Sequence, residues 1–199
     1  MYALLYAALS YLEMPILWSN IPAIVVFMVS AFRRAEPLAI ANFATSIIVN
    51  SLIDTRINIA PMNFYVHLIS VPYLYFCFIV QSTLFYFSHR LLHKKWFFEK
   101  IHSLHHYYIT EGWWTAFYVH PAELAMMLVT FQTPKLMSFY IPIPYTVVAL
   151  WNIVSSLYFM FSHGKYSIVA LRNHWLHHKH YNCNYSSEWI DRLFGTYFD

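Results

Sequence analysis

The sequence predicts an all-α integral membrane protein, with about four transmembrane helices in two hairpins capped on one side by a helical, histidine-rich domain. Three observations predict it. Hydrophobic residues make up 59% of the 199-residue chain and charged residues 11%, against about 45–50% and about 25% in soluble domains. Long apolar runs alternate with short polar stretches. The 12 histidines crowd into those polar stretches instead of spreading along the chain.

Residues 1–37 form an N-terminal apolar segment broken by Glu13, Pro15, Asn20 and Pro22, an extra span or an interfacial helix. The first basic residues are Arg33 and Arg34, so a signal peptide with a charged n-region is not predicted. The remainder, 38–199, reads as one unit. Leu38 to Ile53 is an apolar run of sixteen residues, and Phe64 to Ser88 is a longer one interrupted by His67 and uncharged polar groups. At 1.5 Å rise per residue the second crosses a hydrocarbon layer of about 30 Å, while the first is slightly short. Together they predict a hairpin turning at Asp54 to Asn63.

Ser88 to Glu111 is polar, with Arg90, Lys94, Lys95, Lys100 and five histidines. A second apolar block, Trp113 to Ser162, is divided near Pro134-Lys135 and by Pro142 and Pro144, which suits a second hairpin. Glu123 inside its first arm requires a partner or a cavity. From His163 the chain is polar again. Both histidine-rich regions emerge on the same side and carry most of the Lys and Arg, so the positive-inside rule places them in the cytosol.

The formal net charge of +3 is small and its basic residues are scattered, which argues against a nucleic-acid partner. The two cysteines, Cys77 and Cys183, supply neither a disulfide framework nor a four-cysteine zinc site. There is no His-Glu-x-x-His pattern, and three glycines cannot build a phosphate loop. Glu99-Lys-Ile-His102 is a single Glu-x-x-His element, whereas carboxylate di-iron bundles use two with further glutamates.

The histidines carry the chemistry. His89 and His93 stand at i and i+4; His102, His105 and His106 stand at i, i+3 and i+4; and His174, His177 and His178 repeat that spacing. Helical spacing of this kind puts the imidazoles of each cluster on one face. Eight neutral imidazoles exceed what one ion accepts from protein, so two metals are implied and the cap is a di-metal domain. His120, beside Pro121, and His163, at the end of the last apolar run, are further candidate ligands. His67 lies alone in an apolar helix and reads as a core or cavity residue, and His180 reads as a support for the third cluster. Glu111, Glu123 and Asp191 are candidate acceptors for imidazole N–H groups.

The order His-x3-His, His-x2-His-His and a distant His-x2-His-His resembles the fatty acid hydroxylase and sterol desaturase superfamily of membrane oxygenases. The tail, Asn184-Tyr185 followed by Asp191-Arg-Leu-Phe-Gly195-Thr196, is similar to that family's ending, with Ile190 where Trp is usual and Ser186 where Gly is common. The resemblance implies two Fe ions held by the named histidines, O2 as co-substrate, electrons ultimately from NAD(P)H through a reductase and a cytochrome b5-type donor, and a lipid substrate. It also implies residence in the endoplasmic reticulum membrane with the histidines facing the cytosol. His120-Pro-Ala-Glu123 is similar to an element of sterol C4-methyl oxidases and the tail to sterol C5-desaturases, so a sterol is favoured and product type stays open. A fatty acid or acyl-lipid hydroxylase is the alternative within the superfamily. From other classes, a metal-handling membrane protein and a non-catalytic lipid-binding relative are the rivals. Transport predicts ionisable residues within the spans, whereas these histidines gather at one membrane edge.

Overall fold

The computed structural model describes residues 16–31, 35–54, 56, 64–109, 112–163 and 172–199, and for 16–19, 30, 64–69, 145–146 and 172 it describes the backbone alone. Among the described residues every element is helical: α1 (Ile16–Ala31), α2 (Pro37–Asp54), α3 (Phe64–Leu92), α4 (Lys95–Lys100), 3₁₀ turns at His102–Tyr107 and Trp113–Phe117, α5 (Pro121–Phe131), α6 (Thr133–Met137), α7 (Tyr145–Phe161), α8 (Arg172–His180) and α9 (Glu188–Leu193).

Two helices are long and apolar enough to cross a membrane, Pro37–Asp54 and Ser70–Leu92 within α3. Only 28% and 17% of those stretches is buried. The core helix of a soluble protein would be mostly covered; here Val71, Tyr75 and Phe76 stand exposed, a surface that suits hydrocarbon. The second hairpin departs from the expectation. α5 has 11 residues, about 17 Å at helical rise, and the chain breaks at Gln132 before α6. Pro134 causes the break, since it has no N–H to donate and crowds the residue before it. The first arm is therefore an interrupted helix, and α7 begins after Pro144, which caps it.

A hydrogen bond shows which end of α2 lies with the histidines, and α2, α3, α5 and α7 alternate in direction. Tyr108 Oη donates to Glu36 Oε1 at 3.0 Å, so α2 starts at the histidine-bearing end. There α3 ends with His89, α5 starts with Glu123, and the chain leaves α7 at His163. At the opposite end Asn20, Asn50, Asp54, Gln132, Lys135 and Asn152 form a buried polar cluster. Between the two ends the core is apolar. Phe27 of α1 stacks on Phe43 of α2 at 4.0 Å and meets Phe117 edge-on at 5.7 Å, while Asn42 Nδ2 donates to the carbonyls of Phe117 and Val119 at 3.0 and 2.8 Å. α1 thus shares the core of the helices that follow it.

Candidate metal centre

Nine histidines from four elements converge at one end of the bundle. α3 supplies His89 in its last turn, and His93 follows directly after it. The first 3₁₀ turn supplies His102, His105 and His106, the end of α7 supplies His163, and α8 supplies His174, His177 and His178. They sort into two groups: His89, His93, His102, His106 and His177, and His105, His163, His174 and His178, with the ligand nitrogens of each group within 4.8 Å of one another. The boxes interleave. In the second box His102 and His106 serve one group and His105 the other; in the third, His174 and His178 serve one and His177 the other. The second box is a 3₁₀ turn where an α-helical face was expected. The groups adjoin, with the rings of His106 and His178 stacked at 4.5 Å.

Four of the nine tautomers are fixed from outside. His89 Nδ1 faces the Tyr185 carbonyl at 2.6 Å, His177 Nδ1 the Cys183 carbonyl at 2.6 Å, His163 Nδ1 the Phe159 carbonyl at 2.8 Å, and His102 Nδ1 the Glu123 Oε1 at 2.8 Å. Each acceptor requires a donating Nδ1–H, which leaves Nε2 of that ring with a lone pair. Yet Nε2 of His89 lies 3.0 Å from Nε2 of His102. Two lone pairs at that distance repel unless a cation lies between them. Nitrogens about 2.1 Å from one cation and at right angles stand about 3.0 Å apart, and the contacts His93–His177, His102–His106, His105–His163, His163–His174 and His174–His178 run from 3.0 to 3.2 Å. The donor set fits a metal pair.

Burial, reinforced by mutual repulsion, keeps the rings neutral, which is the form that ligates. It pushes His93 down to about 2, His106 to about 3, and His102, His105, His174, His177 and His178 well below the ordinary imidazole value.

The carbonyls of Cys183 and Tyr185 are held by the tail. Asn184, in a left-handed conformation at φ 54°, clamps the backbone of Phe198 with both ends of its amide, at 2.8 Å each. Asp191 takes the amides of Tyr185 and Ser186 at 2.9 Å and the Thr196 hydroxyl at 2.7 Å. α9 ends in a Schellman turn, with Thr196 N–H reaching the Asp191 carbonyl and Gly195 N–H the Arg192 carbonyl; Gly195 supplies the required positive φ of 65°. The Asp-Arg-Leu-Phe-Gly-Thr ending is a local scaffold that presents two carbonyls to two imidazoles.

Of the ten histidines proposed from sequence, His120 stands apart. Its Nδ1 accepts from the Ala122 amide at 3.1 Å as the N-cap of α5, and it joins neither group. Glu123 does meet an imidazole. Asp191 does not; it acts through the backbone of Tyr185. His180 is exposed and packs on Phe198. Glu111 and the side chain of His67 lie outside the described residues. The backbone acceptors Phe159, Cys183 and Tyr185 escaped the sequence reading because a carbonyl has no side-chain signature.

Residues 74–196 match the family described as Fatty acid hydroxylase. The chain belongs to the fatty acid hydroxylase family. Among its relatives, Methylsterol monooxygenase 2-2 of Arabidopsis thaliana is 31% identical over 139 residues, covering 61% of this chain and 50% of the relative. Very-long-chain aldehyde decarbonylase GL1-8 of Oryza sativa subsp. indica is 32% identical over 138 residues, covering 61% and 50%. Fatty acid hydroxylase domain-containing protein 2 of Homo sapiens is 31% identical over 124 residues, covering 59% and 36%. The chain spans about half the length of the first two. No solved structure matches. The two departures from the family's tail are accommodated away from the imidazoles: Ile190 is buried against Tyr86 and Tyr185, and Ser186 Oγ donates to the Ser82 carbonyl of α3 at 2.8 Å.

Proposed function

We propose that this chain is a membrane-bound non-haem di-iron oxygenase that hydroxylates or desaturates a lipid, with a sterol as the favoured substrate class. The observation that carries the reading is the convergence of nine neutral imidazoles into two adjoining groups whose Nε2 atoms meet around common centres. The five-histidine group and the four-histidine group would each hold one iron. Bound there, the two ions supply O2 activation and removal of hydrogen from an unactivated C–H bond.

The protein's part is to hold the ligands and deliver the lipid. Glu123 and the carbonyls of Phe159, Cys183 and Tyr185 fix ring orientation, as supporting acceptors do at metal sites generally. A cavity between α3 and α7 is walled by Phe78, Phe85, Phe131, Trp151 and Phe159 and ends at His174. Its surface is mostly apolar, with Gln81, Ser82, Ser155 and Ser162 as polar points among the rings, which suits a hydrocarbon skeleton. In this reading α2, α3, the interrupted α5–α6 arm and α7 span the endoplasmic reticulum membrane, the histidine end faces the cytosol, and electrons from NAD(P)H arrive through a reductase and a cytochrome b5-type donor. The methylsterol monooxygenase relatives support the sterol class.

The test is turnover by anaerobically purified, iron-loaded protein given O2, a reductase chain and panels of sterols and fatty acyl lipids. O2-dependent appearance of an oxidised sterol is expected. Iron-loaded protein that consumes no O2 with any lipid would overturn the reading, and product from fatty acyl lipids alone would overturn the sterol assignment.

A further inference from the structure

A second cavity lies between α1, α2, α5 and α7, and no histidine lines it. Its walls are largely apolar, with Phe43, Ile47, Phe117, Leu124 and Met127 beside Ser46 and Ser156, and Phe131, Ser155 and Phe159 line both this cavity and the one that reaches His174. Its floor is the buried polar cluster, formed by Asn20, Asn50, Gln132 and Asn152. Gln132 follows Glu123 by nine residues and Asn152 precedes His163 by eleven. At helical rise the floor sits about 14–17 Å along the bundle from the histidine end.

The hydrogen bonding of that floor is determined link by link. Lys135, fully buried, pairs with Asp54 Oδ1 at 2.7 Å and donates to Asn50 Oδ1. An ammonium has no acceptor, so the Asn50 oxygen must be the atom facing it. Asn50 Nδ2 then donates to Asn20 Oδ1 at 2.8 Å, and the same Asn50 oxygen takes Gln132 Nε2 at 3.0 Å. Flipping the Gln132 amide would set oxygen against oxygen, so Gln132 is fixed with Oε1 turned away from Asn50. That oxygen is buried and has no hydrogen-bond partner, on a residue that is only 6% exposed and lines the cavity. A buried acceptor without a donor is costly, and the cost is relieved by a ligand that brings one. The charges are already matched, because Asp54 faces Lys135 and takes Asn152 Nδ2 at 3.1 Å. A carboxylate ligand would set a second anion beside Asp54; a neutral O–H fits.

We infer that this cavity is a second lipid site, in which a hydroxyl-bearing lipid donates its O–H to Gln132 Oε1 and lays its hydrocarbon along Phe43, Phe117 and Met127. The shared chemistry is a neutral alcohol on a hydrocarbon body, rigid as in a sterol or extended as in a long-chain alcohol. The site is independent of the metals, so it stands or falls apart from the oxygenase reading.

Binding of cholesterol and of 1-octadecanol, each against its own methyl ether, is measured on the detergent-purified full chain. In at least one scaffold the alcohol binds about tenfold tighter than the ether, as the loss of one buried hydrogen bond implies, and Gln132→Leu removes the gap. A diazirine derivative of the preferred alcohol labels α1 and α2, which line this cavity and not the other; this readout needs no variant. Equal binding of alcohol and ether in both scaffolds, a gap that survives Gln132→Leu, or labelling confined to α3 and the segment around Ser186 would overturn the inference.

Discussion

The two ends of the bundle solve opposite problems in burying polar groups. At the far end Lys135 and Asp54 are 0% and 3% exposed, yet each charge faces its opposite and the surrounding amides bond to one another, with the Gln132 oxygen left without a donor. At the histidine end nine imidazoles, seven of them buried, meet a single carboxylate, Glu123, and their Nε2 atoms face each other at hydrogen-bond distance. A polar cluster completed by its own residues contributes structure, whereas one whose residues all present the same kind of group needs something from outside. The far end asks for a single hydroxyl and the near end for cations.

Substitutions can break this contrast, and the largest effect falls at the histidines. His105→Ala with His177→Ala removes a ligand from each group, and lipid oxidation drops below detection while the helical circular dichroism persists. Next comes the far end. Lys135→Met strands the Asp54 carboxylate and is expected to cost about 3–5 kcal/mol in detergent unfolding, with the metal content of the surviving folded protein unchanged. Adding Asp54→Asn recovers most of that loss. Glu123→Ala leaves His102 Nδ1 without its acceptor and weakens metal affinity about 10- to 100-fold, read by chelator competition. The smallest effect belongs to His120→Ala, which loses a helix cap worth about 1 kcal/mol and leaves bound metal unaltered. A fall in metal content there would return His120 to the ligand set.

The sequence made the near end legible and hid the far one, for a physical reason. Ligation concentrates one residue type at fixed spacing, so His89 to His178 could be picked out before any fold was known, and His163 by its place at a helix end. How the boxes divide was not legible, because the split of His105 from His102 and His106 depends on a 3₁₀ turn meeting α8 in space. The far cluster draws Asn20, Asn50, Asp54, Gln132, Lys135 and Asn152 from separate segments, and each alone reads as a blemish in an apolar run. The two long apolar helices, α2 and α3, followed from length and hydropathy. The interruption of α5 at Gln132 was signalled by Pro134, though the shortness of the arm was not.

Metal occupancy of the single variants His105→Ala and His177→Ala tests the central claim most directly, by elemental analysis of anaerobically loaded protein. The two-group geometry predicts two irons per wild-type chain and about one in each variant. Fewer than two in the wild type, or two retained in both variants, would contradict it.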